Sequence, residues 1–367
     1  MIAGGGTGGH ISPALAVVDR LRRVTMLEPH WVGSARGFER QAAEDAGIPF
    51  YAIRTGKLRR YLAIETLADV IRVPAGVVEA VRLLRRLKPD VVFSTGGFVS
   101  TPTVVAARLA GIPSLTHEQT ASIGLATRIN ARFVDIIALS YSSNSSIRTR
   151  RNSRVIVTGN PVRPSVMSGQ RAKLLSLFDI PSDVPILYVT GGAQGAHALN
   201  EVVIKALPEL IEDVAIVHQC GPQSGNGDHA IAVELRESLS PAERVRYYPV
   251  QRVGDELAHI YAAASMVLGR AGAGTVAEMA ALGLPSILVP LPGADEQVKN
   301  ARILADAGGA LLIRQDDLTP DVLVKAVRSL VNDAQKCASM RASALSVAPD
   351  DPVGKLCDAL IDLANRS

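Results

Sequence analysis

Short runs rich in Val and Ile alternate with longer amphipathic segments from one end of the chain to the other. Apolar runs of four or five residues suit strands buried on both faces, and the amphipathic stretches suit helices that cover them. The pattern therefore predicts βαβ units and parallel sheets. A first series of strands is predicted at Trp31–Gly33, Pro49–Ile53, Asp90–Phe93, Pro113–Thr116 and Ile136–Leu139, and a second at Ile186–Thr190, Ala215–His218, Val245–Tyr248, Met266–Leu268 and Ser286–Val289. Helices near Asp321–Val331 and Pro352–Ala364 close the chain. Between the two series lies Gly159-Asn160-Pro161-Val162-Arg163-Pro164, whose prolines and glycine disfavour helix and predict a stiff connection. The domains are accordingly read as 1–162 and 163–351, with 352–367 crossing back onto the first. Only Met1-Ile2-Ala3 precede the first glycine loop, fewer than the roughly five residues of an ordinary strand, which points to a mis-assigned start or a truncated chain.

Composition narrows this picture. At 367 residues the chain exceeds what one hydrophobic core usually serves, and 47% hydrophobic with 20% charged residues excludes disordered, collagenous and disulfide-stapled classes. Cys220, Cys337 and Cys357 are far apart and form no ligand spacing, so neither a disulfide framework nor a structural zinc site is expected, and a reducing cytoplasm is the expected setting. No apolar run reaches the roughly 18 to 20 residues that span a bilayer, and no signal peptide is expected. Charge is unevenly spread: residues 1–160 carry 21 Lys and Arg against 11 Asp and Glu, whereas the remainder carries 18 against 24. A first half at +10 and a second at −6 suggest that the first faces something anionic, which could be a lipid surface, a phosphorylated substrate or nucleic acid.

Three glycine-rich turns stand at predicted strand-to-helix junctions: Gly4-Gly5-Gly6-Thr7-Gly8-Gly9-His10, Ser94-Thr95-Gly96-Gly97-Phe98 and Gly191-Gly192-Ala193-Gln194-Gly195-Ala196. Glycine lets backbone amides approach a ligand, and the following helix adds unpaired donors, so a diphosphate is the natural guest. Tight helix–sheet packing is the plainer reading of any one of them. No Gly-Lys-Ser/Thr ending supports a P-loop, and about 20 residues after Gly4 stands Arg22-Arg23-Val24 rather than a ribose-reading acid, which weakens a nicotinamide reading. A richer constellation is Arg270 to Ala280, where Glu278 follows Thr275 by three. It is either a capping box or a sugar-nucleotide pocket in which Glu278 accepts from ribose hydroxyls. Downstream, Gln297 and Asn300 share one helical face, where amides suit sugar hydroxyls, although a solvated first turn would look the same.

Taken together, Gly4 to His10, His117-Glu118-Gln119, Gly159 to Arg163, Gly191 to Ala196 and Arg270 to Glu278 closely resemble MurG-type enzymes, the UDP-N-acetylglucosamine:N-acetylmuramyl-(pentapeptide) pyrophosphoryl-undecaprenol N-acetylglucosamine transferases. The resemblance runs in order along the chain. It implies an α/β GT-B architecture, two Rossmann-like parallel-sheet domains facing across a cleft, and an inverting transfer that serves peptidoglycan synthesis. It also implies an acceptor held by the first domain and a donor by the second. Donor-binding positions fall on Thr7, Gly8, Gly9, Thr120, Arg163, Ala193, Gln194, Val253, Ala273, Gly274, Thr275, Val276, Ala277, Glu278 and Gln297, with acceptor contacts expected at Gly96, Gly97, His117, Glu118 and Gln119. Three positions depart from the family pattern: Thr120 replaces a common Asn, Ala193 a Ser, and Glu296 a His.

Such a transfer needs a base for the acceptor's 4-hydroxyl and stabilisation for departing UDP. His10 is the base candidate; its other readings are a phosphate ligand and a structural cap. No Asp-x-Asp occurs, so no metal is expected to bridge the diphosphate, and no cofactor is implied. Arg54, Lys57, Arg59 and Arg60 flank Tyr61-Leu62-Ala63-Ile64, and Arg82, Arg85, Arg86 and Lys88 punctuate a later apolar helix. Basic residues beside apolar surface suit peripheral docking on an anionic membrane at its cytoplasmic face, and ordinary amphipathic packing is the alternative. Nucleic acid is disfavoured because no aromatic residues are interleaved. The other functions considered are a UDP-N-acetylglucosamine 2-epimerase, another GT-B glycolipid glycosyltransferase and a non-catalytic nucleotide-sugar sensor.

Overall fold

A computed structural model describes residues 1–35, 37–56, 65–142, 147–222 and 226–366. The chain divides into two compact units, Met1–Arg163 with Pro349–Ser367, and Pro164–Ala348. Both are parallel sheets covered by helices.

The first unit contains β1 (Ile2–Gly4), β2 (Trp31–Gly33), β3 (Phe50–Ala52), β4 (Val92–Gly96), β5 (Ser114–Glu118), β6 (Ile136–Leu139) and β7 (Arg154–Val157), in the order β3-β2-β1-β4-β5-β6-β7. β1 forms from only three residues, fewer than an ordinary strand has, yet it lies inside the sheet between β2 and β4. It is paired on one side through Ile2 with Trp31 and on the other through Ile2 with Phe93. Its Ile2 and Ala3 are buried, so the two neighbouring strands compensate for its brevity. β7 is one of the two edge strands; its Val155-Ile156-Val157 is an apolar run that the sequence reading did not include, and its residues are half-buried or exposed.

On one face pack the helices Gly8–Val24, Glu39–Asp45 and Pro352–Ala364. The last returns from the far end of the chain and buries Val353, Leu356, Cys357, Leu360 and Leu363 in one cluster with Ile11, Val17, Leu21 and Trp31. The opposite face receives Ser100–Ala110 and Glu65–Leu87, the latter through Ala80, Leu83 and Leu84. Its Arg82, Arg85, Arg86 and Lys88 are exposed, as expected for an amphipathic helix whose apolar side is spent on the core. Lys57, Arg59, Arg60 and Tyr61 to Ile64 lie outside the described residues. Among those that are described, no helix is long and apolar enough to cross a membrane.

The second unit contains β8 (Ile186–Thr190), β9 (Ala215–Gln219), β10 (Tyr247–Val250), β11 (Met266–Gly269), β12 (Ser286–Leu288) and β13 (Ala310–Leu312), in the order β10-β9-β8-β11-β12-β13. β10 starts two residues later than the sequence suggests, because Pro241–Arg244 forms a short helix behind a Ser240–Glu243 capping box. β13 is an unannounced edge strand of three residues after Gly308-Gly309. In each sheet the chain first builds outward to one side and then to the other, leaving a topological switch between β1 and β4, and again between β8 and β11. Ligands of open α/β sheets gather at the carboxyl ends of strands there.

The single tryptophan, Trp31, is fully buried in the first unit, so its fluorescence reports that unit alone. Leu356→Ala in the returning helix is expected to cost the first unit about 3 kcal/mol, as for other large-to-small changes at a fully buried leucine. The check is urea unfolding followed at Trp31. An unmoved midpoint would mean that this helix does not share the core.

Candidate functional site

The three strand ends at the first switch point each contribute one loop. After β1, Gly5 to Thr7 lead into the helix Gly8–Val24, with Thr7 at its N-cap and Gly6, Thr7, Gly8 and Gly9 exposed. His10 lies in the first turn. Its Nδ1 is 2.8 Å from the Thr95 carbonyl oxygen at the end of β4 and 3.1 Å from Gln119 Oε1 beyond β5. Gly96 and Gly97 turn away at φ +87° and +74° and lie against the imidazole; a Cβ at Gly97 would sit 2.7 Å from the Gly5 carbonyl oxygen. Only glycine meets both demands.

His117, Glu118 and Gln119 are 0%, 4% and 2% exposed, and their side chains are engaged inside the unit. His117 Nε2 is 3.0 Å from the Gly159 carbonyl and Gln119 Nε2 is 3.1 Å from His117 Nδ1. Glu118 Oε1 accepts from the Thr120 amide and hydroxyl at 3.2 and 2.8 Å, and its Oε2 accepts from Gly124 N at 2.9 Å. The Thr120 hydroxyl also lies against the Ser122 carbonyl. These side chains shape the turn after β5 rather than line its surface. Arg163 closes the unit, and its Nε is buried with no hydrogen-bond partner among the described residues.

Glu39 is a site residue that sequence reasoning missed. Fully buried, its carboxylate accepts from Gly6 N at 3.0 Å and from Ser34 N at 2.8 Å. A Cβ at Gly5, Gly33 or Gly37 would overlap it, so three glycines make the chamber that holds this acid beneath the first loop. Nothing local in Phe38-Glu39-Arg40 signals that role. Trp31 Nε1 adds a bond to the Gly4 carbonyl at 2.9 Å, and the loop is thereby fixed from two sides.

At the switch point of the second unit, the loop Gly191 to Ala196 follows β8, with Ala193 and Gln194 exposed on it. Gly192 N donates to Thr190 Oγ1 at 3.1 Å, and Gln219 Nε2 donates to the Gly192 carbonyl at 3.3 Å while Gln219 Oε1 accepts from Tyr188 and Thr190. After β11, Arg270 donates to the Val289 and Pro290 carbonyls and to Gln315 Oε1 at 2.6 Å; burial lowers its pKa. The helix Ala273–Leu282 then begins behind Gly272.

Because Gly272 has no side chain, the capping box is not formed: Thr275, Val276 and Ala277 lie inside the helix, and the half-buried Glu278 accepts from Tyr261 Oη at 2.7 Å instead. A Cβ at Gly274 would meet open space. The first-turn amides at such an end lack intrahelical acceptors and suit an anion. Beyond β12, Gln297 Oε1 accepts from Leu291 N at 3.0 Å and braces that turn. Asn300, by contrast, is buried and donates to the Ala271 carbonyl, so only Gln297 of that amide pair lies at the surface. Val253 lies half-buried in the turn before the helix Leu257–Ala263.

Burial pushes the His117 pKa down to about 4. Its folded-state value thus lies below its unfolded one, near 6.5, and the unfolded chain binds the extra proton between them. The first unit should lose stability as pH falls from 6.5 towards 4, by roughly 3 kcal/mol at most, and keep it above 6.5. Trp31-monitored unfolding at pH 7, 5.5 and 4.5 checks this, with His117→Gln expected to flatten the slope. An unchanged slope would assign the loss to other groups.

Glycosyltransferase family 28 accounts for most of the chain: its N-terminal domain matches residues 1–139 and its C-terminal domain residues 186–350. The chain is 36% identical to the Treponema denticola protein named UDP-N-acetylglucosamine--N-acetylmuramyl-(pentapeptide) pyrophosphoryl-undecaprenol N-acetylglucosamine transferase, over 98% of this chain and 96% of that protein. It is 41% identical to the protein of the same name from Treponema pallidum, over 90% of this chain and 86% of the other. Among solved structures, Acinetobacter baumannii MurG superposes with a TM-score of 0.73 at 30% identity, covering 99% of this chain and 98% of that one. The two Rossmann-like α/β units match the GT-B architecture implied by the sequence. Likeness in sequence and fold, sustained through both units, makes this chain a member of the MurG family of N-acetylglucosaminyltransferases.

Proposed function

We propose that this chain transfers N-acetylglucosamine from UDP-N-acetylglucosamine, with inversion, to the 4-hydroxyl of the N-acetylmuramyl-pentapeptide carried on undecaprenyl diphosphate. The first unit binds the acceptor and the second the nucleotide sugar. The observation that carries this reading is the His10 imidazole, held at the first switch point with Nδ1 committed to the Thr95 carbonyl. Its Nε2 takes the proton of the 4-hydroxyl as that oxygen attacks the anomeric carbon. The bond from that carbon to the diphosphate breaks with its electron pair leaving on UDP. The proton on Nδ1 keeps its bond to Thr95 O, so the imidazolium forms without losing its anchor.

Charge that develops on the diphosphate is met by the amides at Gly274 and Thr275, with Arg163 as a further source of positive charge. Glu278 grips the ribose, oriented by Tyr261. Gln297 reads the sugar, the loop at Ala193 and Gln194 flanks the donor, and Thr7, Gly8, Gly9, Thr120 and Val253 complete the donor contacts. Gly96 and Gly97 bound the acceptor side. The exposed Arg82, Arg85, Arg86 and Lys88 support docking of the first unit on the anionic cytoplasmic leaflet. The direct test is transfer of labelled sugar from UDP-N-acetylglucosamine to the undecaprenyl diphosphate monosaccharide, with and without vesicles of anionic lipid. Epimerised donor in the absence of acceptor would refute the transferase reading.

Two substitutions probe the assignments. Glu278→Ala should weaken donor binding by about 2 kcal/mol, roughly 30-fold, and Tyr261→Phe by about 1 kcal/mol, both read by titration calorimetry with UDP-N-acetylglucosamine. Unaltered affinity in Glu278→Ala would remove its ribose role. His10→Ala should lower kcat by about 10²- to 10⁴-fold while the donor KM changes little; comparable losses in both would make His10 a phosphate ligand.

A further inference from the structure

The hydrogen bonds behind His10 run further into the unit than a general base requires, and each has its direction fixed by chemistry. The Gly159 carbonyl can only accept, so His117 Nε2, 3.0 Å away, carries a proton. Ser140 Oγ, 3.4 Å from the same nitrogen, uses its own hydrogen on the Glu118 carbonyl at 2.7 Å and is left as a second acceptor. In the neutral ring Nδ1 is then the lone pair, and it faces Gln119 Nε2 at 3.1 Å. That nitrogen is also 2.8 Å from Thr95 O and 3.2 Å from His117 O. Three acceptors around one atom orient the amide, because the flipped arrangement would set oxygen against two carbonyl oxygens.

Gln119 Oε1 is thereby aimed at His10 Nδ1, 3.1 Å away, whose other neighbour is Thr95 O at 2.8 Å. Two acceptors demand the proton on Nδ1 and leave the lone pair on Nε2. We propose that Gln119 is a positioning residue for His10, relaying the fixed Gly159 carbonyl through His117 to hold His10 as the Nδ1–H tautomer with Nε2 facing the acceptor hydroxyl. The inference rests on the reading of His10 as the base and gives Gln119 and His117 a task other than touching the acceptor. His117 suits a relay because burial keeps it neutral down to about pH 4, so the direction of the chain does not change across the neutral range.

A double-mutant cycle on the full chain tests the relay. Gln119→Met keeps length and volume but removes donor and acceptor. It is expected to lower kcat about 10-fold with the KM for UDP-N-acetylglucosamine within about twofold, and to have no further effect in a His10→Ala background. Equal losses in both backgrounds would overturn the relay. Unchanged turnover in His10→Ala itself would instead overturn the base reading, so the two failures are distinguishable. Nitrogen-15 spectra of the histidine-labelled wild-type chain read both tautomers directly, and substitutions serve only for assignment. At neutral pH they should show His10 protonated on Nδ1 and His117 on Nε2, with the signals assigned by loss in His10→Ala and His117→Gln. His10 protonated on Nε2 would overturn the proposal.

Discussion

The carbonyl oxygen of Thr95 is the fixed point of the first unit's site. As part of the penultimate residue of β4 it cannot move without disturbing the sheet, and it accepts from both His10 Nδ1 and Gln119 Nε2 at 2.8 Å. This convergence requires β1, β4 and β5 to be neighbours, since His10 follows the first, Thr95 is penultimate in the second and Gln119 follows the third. It also requires the chain after Thr95 to leave immediately, which the left-handed Gly96 and Gly97 accomplish. Sheet order, two glycines, one main-chain acceptor and the Gln119 amide together decide which imidazole nitrogen is held.

Beneath this arrangement Glu39 imposes a second constraint. A buried carboxylate is costly unless its oxygens are satisfied, and here the two partners are main-chain amides at Gly6 and Ser34. The acid therefore fixes the first glycine loop from below, and it also takes the Gly6 amide out of the set available to a phosphate. What the loop offers a ligand is the exposed stretch from Thr7 to Gly9 at the start of the following helix. A run of glycines invites one to count every N–H as a donor to the ligand; the carboxylate shows why the count must be lower.

Much of the fold is legible in the residue pattern because a strand covered on both faces has to be a continuous apolar run, as in Ile186–Thr190 or Ile136–Leu139. Three strands escape it although each is apolar: β7 carries Val155-Ile156-Val157, β13 is Ala310-Leu311-Leu312, and β1 is a three-residue segment whose strand character comes from Trp31 and Phe93 beside it. The site divides in the same way. The glycine loops and Glu278 announce themselves through local spacing, and so does His10. Its partner Gln119 is 109 residues away, Glu39 depends on glycines at three separated positions, and Tyr261 meets Glu278 from a different helix. Local pattern gives the reactive groups, while their orientation comes from pairings that only the sheet order creates.

The two units solve one problem with one device and then diverge. In each, a glutamine following a strand reaches a main-chain carbonyl associated with the adjacent strand: Gln119 beyond β5 donates to Thr95 O, and Gln219 at the end of β9 donates to Gly192 O. An amide suits this task because it offers donor and acceptor from one rigid group. What the acceptor side holds differs. Gln119 Oε1 faces the imidazole of His10, the base of the proposed transfer, whereas Gln219 Oε1 faces the hydroxyls of Tyr188 and Thr190, which serve only to fix the loop. Burial drives the Tyr188 pKa further up, so that hydroxyl stays protonated. Proton transfer in the proposed reaction therefore belongs to the first unit, and the second unit's share is to hold the departing nucleotide with amides and one acid.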